Sequence, residues 1–318
     1  MNTIHVGDAL DVLRTLPDES VQCVVTSPPY FGLRDYGHDG QIGLESTPDE
    51  FVAALVEVFR EVRRVLRDDG TVWLNLGDSY AATTLQNNNT PNANRAGHSD
   101  ASSRAIADGL NGRKVQPGLP SKNLLGIPWR VAFALQANGW WLRQDIIWHK
   151  PNPMPESVKD RCTKAHEYVF LLSKSARYYY DHEAIKEESV IGEGAIRRSG
   201  AVSQVGTLRN DEGRHCVNDG TRNRRTVWTV STRSYKGAHF AVYPPELIEP
   251  CVLAGSAEGD TVLDPFSGAG TTGVVALAKR RKYIGIELNP TYAEMAARRI
   301  RDEAPMFNAV EVVGIETR

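Results

Sequence analysis

Hydrophobic and polar positions along the first 80 residues follow the periods of helices and strands in turn. DALDVLRTL has the spacing of an amphipathic helix, VQCVVT is a short apolar run typical of a buried strand, and DEFVAALVEVFREVRRVL predicts a long helix before the strand TVWLNLG. Strands that alternate with helices form parallel sheets with crossover connections. The pattern therefore predicts an α/β fold, a mostly parallel twisted sheet with helices on both faces.

Two polar stretches interrupt this pattern. Residues 81–122 lack periodicity and predict a loop or insertion, and residues 192–236 break the pattern again. Between them, 123–191 predict a helix in NLLGIPWRVAFAL and strands in WWLRQDIIWHK and HEYVFLLSK. Residues 237–318 form a second α/β run, from the helix PPELIEPCVLAG and strand TVLDPF to the helix TYAEMAARRIRDE. We therefore expect two α/β parts and two insertions.

Composition changes this picture only locally. The 318 residues carry a formal net charge of −2, which gives no sign of a polyanionic partner. Residues 192–236, by contrast, contain nine Arg and Lys against four Asp and Glu. The four cysteines are scattered without a CxxC pair, so neither a disulfide framework nor a metal site is predicted. With neither a leader-like start nor a long apolar run, we expect a cytoplasmic protein without a membrane segment.

A glycine-rich turn, VLDPFSGAGTTG, lies between a predicted strand and a predicted helix. Without Cβ atoms, Gly268 and Gly270 let backbone N–H groups approach a ligand at the positive end of the helix. With Gly273 they satisfy GxGxxG, and Glu287 ends the next strand, where an acidic side chain can bind ribose hydroxyls. A nicotinamide-dependent oxidoreductase and a glycine turn needed only for packing remain alternatives. Asp264, directly before Pro265 and Phe266, makes the turn resemble the DPFxGxGTT signature of the S-adenosylmethionine site in amino-methyltransferases, where the acidic residue meets the methionine amino group.

The turn TSPPY ends the strand VQCVVT, at the edge of an α/β sheet where ligands bind. Pro28 and Pro29 fix φ and remove two donors, leaving a rigid surface of carbonyls, the Ser27 hydroxyl and the Tyr30 ring. Such a surface suits an aromatic amine: Ser27 Oγ and the Pro28 carbonyl accept from its hydrogens, and Tyr30 stacks on the face of a base flipped out of a duplex. A proline-rich loop with a packing tyrosine is the alternative.

Together TSPPY and DPFSGAGTT, with LLGIPWR, the segment from WWLRQDIIWHKPNPMP to HEYVFLLSK, and HFAVYPPELIEP, resemble the β-class DNA amino-methyltransferases. The resemblance covers nearly all of residues 1–80, 121–185 and 237–303. It implies a Rossmann-like methyltransferase fold, S-adenosylmethionine as the cofactor, double-stranded DNA as the substrate, and direct methyl transfer to N6 of adenine or N4 of cytosine. It makes 1–80 and 123–191 the catalytic half and 237–318 the cofactor half.

The resemblance also implies roles for single residues. Asp8 resembles the acidic residue that contacts the cofactor adenine, and Glu287 the ribose ligand. The other residues that it assigns to cofactor binding are Asp264, Phe266, Ser267, Gly268, Gly270, Thr271, Thr272, His239, Phe240 and Tyr243. Asp8 could instead be a helix N-cap, and Phe240 and Tyr243 core aromatics.

The target base stays open at this point. Ser27 stands where many adenine enzymes of this class have aspartate, and serine is usual in the cytosine-N4 enzymes, whereas the longer string TSPPYFGLRDYG resembles a group that includes adenine methylases. Carbon-5 methylation of cytosine would need a cysteine nucleophile. Cys251 follows a proline as that nucleophile does, but it lies in an apolar helix pattern and is predicted to be buried.

Further expectations concern partners. The resemblance implies a homodimer formed through the catalytic half and allows a cognate restriction endonuclease. Residues 192–236 are predicted to recognise the target sequence, with Arg222, Arg224 and Arg225 as the residues that bind DNA, and 81–122 are predicted to be an accessory clamp. A solvated connector and a non-catalytic DNA-binding protein with the same fold are the alternatives.

Overall fold

A computed structural model describes residues 2–32, 40–81, 119–189, 196–197, 216–217, 220–233, 242–303 and 309–314. The chain divides into two compact units: Met1–Tyr180 together with Thr226–Arg318, and Asp181–Arg225. Most of the predicted 81–122 and 192–236 insertions lies outside the described residues. None of the helices within these ranges is long and apolar enough to cross a membrane.

The strands in chain order are β1 (Asn2–Val6), β2 (Val21–Thr26), β3 (Leu66–Leu76), β4 (Trp141–His149), β5 (His166–Ser173), β6 (Glu187–Glu188), β7 (Ile196–Arg197), β8 (Cys216–Val217), β9 (Thr221–Arg222), β10 (Val227–Thr229), β11 (Thr261–Asp264), β12 (Lys282–Glu287) and β13 (Val310–Gly314). The α-helices are α1 (Ala9–Thr15), α2 (Pro48–Val65), α3 (Ile127–Ala137), α4 (Pro245–Gly255), α5 (Thr271–Ala278) and α6 (Pro290–Glu303).

Nine of the described strands form one sheet in the order β10-β4-β5-β3-β2-β11-β12-β1-β13. Neighbouring strands are parallel except around β5, which runs antiparallel to both β3 and β4. The predicted mostly parallel α/β fold is confirmed. Strands from the two ends of the chain alternate in this sheet, since β11 and β12 lie between β2 and β1.

Helices cover both faces of the sheet. On β2, Val24 belongs to the core beneath α1, α2 and α3, whereas Cys23 points to α4, where a Cβ at Gly255 would lie 2.6 Å from its Sγ. In α2 the fully buried Phe51, Leu55 and Phe59 recur every four residues, so that one face of the helix packs on the sheet. Each such side chain contributes about 1.5–3 kcal/mol by leaving water.

The chain leaves β2 and β11 in opposite directions. These strands are neighbours and parallel, but β2 continues through α2 to β3 on one side, and β11 continues through α5 to β12 on the other. The segments after the two strands therefore diverge and leave a crevice at the carboxyl edge of the sheet. TSPPY follows β2 and the glycine-rich turn follows β11, so both motifs lie at this crevice.

Element boundaries depart from the sequence pattern in a few places. The helix predicted from residue 123 begins at Ile127 instead, because Gly126 adopts a left-handed conformation with φ of 70°. The pattern did not predict β1, β10 or β13. Strand β10 pairs in parallel with β4, so residues 227–229, which were expected to interrupt the α/β pattern, form an edge strand of the sheet.

The smaller unit, Asp181–Arg225, contains two short antiparallel pairs, β6 with β9 and β7 with β8. In the first pair Glu187 lies opposite Arg222. This unit begins before the predicted recognition window of 192–236 and ends before it does.

Candidate active site

One pocket brings together the carboxyl ends of four parallel strands. Its lining includes residues 27–30 after β2, the glycine-rich turn after β11, the end of β12 with the residues that follow it, and Gly7 to Ala9 after β1; residues 40–42 and 242–243 complete it. The residues predicted for the site that line it are Asp8, Ser27, Pro28, Pro29, Tyr30, Tyr243, Phe266, Ser267, Gly268, Thr271 and Glu287. Asp264, Gly270 and Thr272 are not in the lining. His239 and Phe240 lie outside the described residues.

Asp264 lies beneath the pocket, with 1% of its surface exposed. Its carboxylate is within hydrogen-bonding distance of Thr26 Oγ1 at 2.6 Å, Thr272 Oγ1 at 2.7 Å and Tyr243 Oη at 3.0 Å, and it accepts from the Phe266 N–H at 3.1 Å. Burial raises the pKa of this carboxyl, and the hydroxyl donors oppose that shift. Asp264 thus ties the end of β2 to the turn after β11 and to α5.

Glu287 holds the glycine-rich turn against the end of β12. Its two oxygens accept hydrogen bonds from the Gly268 N–H at 2.8 Å and the Asn289 N–H at 2.9 Å. Gly268 has φ of +50°, and a Cβ there would meet nothing nearer than the Phe266 carbonyl oxygen at 4.0 Å. Among the described residues, only the backbone conformation requires glycine at this position, and the space beside it is open.

Gly270 and Gly273 serve helix packing. Gly270, with φ of +73°, caps α5, and a Cβ there would lie 2.9 Å from the Cβ of Ala296 in α6. A Cβ at Gly273 would lie 2.5 Å from Ile300 Cδ1. These two glycines of the GxGxxG match therefore allow α5 and α6 to approach closely.

Asp8 is a helix N-cap, one of the two roles that the sequence allowed, and it also lies at the pocket. Its Oδ1 accepts from the N–H groups of Leu10 at 2.8 Å and Asp11 at 3.1 Å, so it is the N-cap of α1. It also lines the pocket. The cap fixes the side chain at the pocket wall, where its other oxygen is available to a ligand.

Ser27 and Tyr30 differ in their surroundings. Within the described residues Ser27 Oγ makes no hydrogen bond, so its hydroxyl can bind a ligand in the pocket. Tyr30 Oη, by contrast, lies 2.7 Å from Glu167 Oε2 and 3.2 Å from Asn75 Oδ1. Glu167 also pairs with Lys150. Sequence reasoning missed these last three residues; the polar Asn75 in the apolar strand TVWLNL was the one local signal.

The cysteine of the carbon-5 alternative is buried, as expected. Cys251 is 1% exposed within α4, and its Sγ lies 3.8 Å from the Leu247 carbonyl oxygen of the preceding turn. On β2, burial raises the pKa of the Cys23 thiol to about 12. Neither cysteine lines the pocket, so neither offers a thiolate to a base there.

The arginines predicted to bind DNA lie in and beside β9. Glu187 Oε1 accepts from Arg222 Nε at 2.9 Å and from Arg225 Nε at 2.7 Å. The side chain of Arg225 is 67% exposed and that of Arg222 23%. Arg224 is half-buried.

Comparisons with known proteins agree on one family. The N6_N4_Mtase family, described as DNA methylase, matches residues 21–298. The Type II methyltransferase M.Cfr9I of Citrobacter freundii is 50% identical over 305 residues, which cover 95% of this chain and 88% of that protein. The Type II methyltransferase M.SmaI of Serratia marcescens is 48% identical over 300 residues, 93% of this chain and 90% of that protein.

Solved structures show the same fold. The Thermus thermophilus protein TTHA0409 in complex with S-adenosyl-L-methionine has a TM-score of 0.59 at 25% identity, covering 98% of this chain and 100% of that one. The cytosine-N4-specific PvuII DNA methyltransferase has a TM-score of 0.62 at 20% identity, covering 100% of this chain and 96% of that one.

Proposed function

The chain belongs to the DNA methylase family that acts on N6 or N4 amino groups, and we propose that its target is the N4 amino group of cytosine in double-stranded DNA. It is an enzyme that transfers a methyl group from S-adenosylmethionine to an exocyclic amino group of DNA. The observation that supports cytosine is Ser27, whose hydroxyl lines the pocket where many adenine enzymes of this class have a carboxylate.

The pocket fits the cofactor by its donors and its shape. Glu287 and Asp8 place carboxylates at the ends of β12 and β1, suited to ribose hydroxyls and an adenine amino group, while Phe266, Ile286 and Leu288 offer apolar surface. The open space beside Gly268 lets the chain pass close to a ligand. When bound, S-adenosylmethionine supplies a methyl group on a positively charged sulfur.

TSPPY performs the part of the reaction that concerns the base. The lone pair of an exocyclic amino group is delocalised into the ring, so the nitrogen is a poor nucleophile. Ser27 Oγ and the Pro28 carbonyl accept from the amino hydrogens and favour a tetrahedral nitrogen with its lone pair available. Flipping the base costs a few kcal/mol, and stacking on Tyr30 stabilises the flipped base by about 1–3 kcal/mol.

The base can be identified directly. DNA from cells that express the protein and lack other methylases is digested to nucleosides and analysed by mass spectrometry. N4-methylcytosine is the expected product, and N6-methyladenine would overturn the choice of base. Modified-base sequencing of the same DNA identifies the recognition sequence. A Tyr30→Ala control should give neither product.

We also propose the assembly and setting of the enzyme. Phe133, Leu124 and Trp141 are 55%, 52% and 49% exposed on the catalytic half, and large exposed apolar side chains are typical of protein interfaces, so we propose a homodimer formed through this half. Light scattering at micromolar concentration tests this, and a strict monomer both free and on DNA would rule it out.

Because its curated relatives are Type II methyltransferases, we propose a cognate endonuclease. We also propose that the enzyme acts on its DNA in the cytoplasm.

A further inference from the structure

Two polar side chains, Glu167 and Asn75, lie at the phenol of Tyr30. The Tyr30 hydroxyl has one proton and lies 2.7 Å from Glu167 Oε2 and 3.2 Å from Asn75 Oδ1. The shorter distance indicates that the proton goes to the carboxylate. Asn75 Nδ2 lies 3.3 Å from the same carboxylate oxygen and donates to the Tyr168 carbonyl at 3.0 Å. Glu167 therefore fixes the far end of the tyrosine ring.

Glu167 needs a counter-ion in this position. Its side chain is only 14% exposed and that of Lys150 18%, and the two form an ion pair through Glu167 Oε1. Lys150 Nζ also lies 4.1 Å from the centroid of the Trp148 ring, which favours a cation at that place. A partly buried carboxylate that lost this partner would be disfavoured. As an ionised acceptor, Glu167 binds the phenol about twice as strongly as a neutral group would.

The ring of Tyr30 is also fixed against the backbone. A Cβ at Gly77 would lie 2.5 Å from Tyr30 Cε2, so the ring packs where only glycine leaves room. Tyr30 lines the pocket, whereas Glu167, Lys150 and Asn75 do not. Asn75 and Glu167 are therefore connected to the pocket through Tyr30, and Lys150 through Glu167.

The reversed direction of β5 makes this arrangement possible. Tyr30, Asn75 and Lys150 follow or end the parallel strands β2, β3 and β4, and thus lie at the carboxyl edge of the sheet. Because β5 is antiparallel, its beginning lies at this same edge and brings Glu167 there.

We propose that Glu167, with Lys150 as its counter-ion, is a positioning residue that holds the Tyr30 ring in the orientation needed to stack on the flipped target base. The inference rests on the proposed stacking role of Tyr30. It assigns the Glu167–Lys150 pair to methyl transfer, and not to binding of the cofactor or of duplex DNA.

Single-turnover methylation of a duplex that contains the recognition sequence tests this. Glu167→Ala should lower the rate constant of methyl transfer by about tenfold to a hundredfold, with cofactor and DNA dissociation constants changed by no more than about twofold. Glu167→Gln keeps an acceptor for the phenol and should lose less. The matched control is Glu57→Gln, which breaks an exposed ion pair with Arg60 on α2 and should change nothing.

A double-mutant cycle distinguishes positioning from a general structural effect. Tyr30→Phe removes only the hydroxyl, so Glu167→Ala should cost little more in that background if Glu167 acts through the phenol. If the fold losses of the methyl-transfer rate constant in the two single variants multiply in the double variant, Glu167 acts independently of Tyr30, and the proposal is overturned. Thermal melting identifies a variant that fails to fold, in which case the cycle is built with Glu167→Gln.

Fluorescence of pyrrolocytosine, a cytosine analogue, at the target position gives a second measurement. The fluorescence rises when the base leaves the duplex and is quenched by stacking on an aromatic ring, so Glu167→Ala should give a brighter complex than the unaltered enzyme. Equal quenching would contradict the proposal. If Tyr30→Ala methylates normally, the proposed stacking role of Tyr30 is wrong. If Tyr30→Ala is inactive but the double-mutant cycle shows no coupling, the stacking role stands and only the proposed role of Glu167 is wrong.

Discussion

At the residue scale, the polar side chains of the site divide into those that line the pocket and those that support it. The resemblance implied that Asp264 meets the methionine amino group, yet the carboxylate is surrounded by protein donors from Thr26, Thr272, Tyr243 and Phe266. We propose that Asp264 acts by fixing the glycine-rich turn. A motif shows which residue is needed but not which way its side chain points, so the sequence could not make this distinction.

Substitutions in the two motifs should separate these functions. Asp264→Ala removes an acceptor that three hydroxyls and an amide share, at about 1–3 kcal/mol for each donor left unpaired, and should lower both stability and cofactor binding. Tyr30→Ala and Pro28→Ala should abolish methyl transfer and leave cofactor affinity nearly unchanged. Calorimetric titration with the cofactor, and tritium transfer to DNA, measure the two effects. Equal losses of cofactor affinity in all three variants would contradict this division.

At the element scale, the sequence predicted what local pattern determines. The apolar run of β2 and the helical period of α2 predicted both elements, and the TSPPY and glycine-rich turns follow their strands as expected. The missed β1 and β13 are five-residue strands that pair with each other at one side of the sheet. The contribution of Glu167 could not be predicted, because it depends on the direction in which β5 enters the sheet. Pairing between distant strands sets that direction.

Gly273 in α5 offers a test at this scale. Alanine favours a helix by about 1 kcal/mol over glycine, yet Gly273→Ala would place a Cβ 2.5 Å from Ile300 Cδ1 and 2.7 Å from Tyr283 Cε1. The steric cost of overpacking should exceed the gain in helix propensity and lower the free energy of unfolding by about 1–3 kcal/mol, measured by urea denaturation. Gly314→Ala is the control, since its Cβ would meet no atom of the described residues within 4 Å. If the Gly273→Ala protein is as stable as the control, α6 shifts to accommodate the added methyl group and the prediction is wrong.

At the scale of the whole molecule, the catalytic and cofactor halves are one sheet and not two domains. β11 and β12 of the second half lie between β2 and β1 of the first, and this places TSPPY beside the glycine-rich turn although some 240 residues separate them along the chain. The order of motifs in the sequence suggested two halves but could not show that their strands interleave. Taken alone, the GxGxxG match is compatible with a nicotinamide site. The neighbouring position of TSPPY in the sheet favours the methyltransferase site instead.

The smaller unit, Asp181–Arg225, carries the remaining proposal, that the region predicted as 192–236 recognises the target sequence and 81–122 is an accessory clamp. Within this unit Glu187 holds the guanidinium groups of Arg222 and Arg225. A shared carboxylate fixes their orientation and offsets part of their charge. Two fixed guanidinium groups suit bidentate contacts to guanine or phosphate.

Alanine substitutions at Arg222, Arg224 and Arg225 should separate two kinds of contact. An arginine that contacts phosphate should weaken binding to every sequence and reduce the salt slope by about one, whereas one that reads a base should cost about 1–3 kcal/mol and relax specificity at one position. The measurements are DNA affinity against salt and methylation of a randomised site library.

Glu187 and a remote arginine complete this experiment. Glu187→Gln removes the charge that offsets Arg222 and Arg225, so DNA affinity should rise and fall more steeply with salt. Arg60→Ala, which loses an exposed ion pair on α2, is the control and should change neither affinity nor site preference. If all three recognition arginines behave like Arg60, target recognition lies elsewhere in the chain, and the 81–122 segment becomes the first region to test.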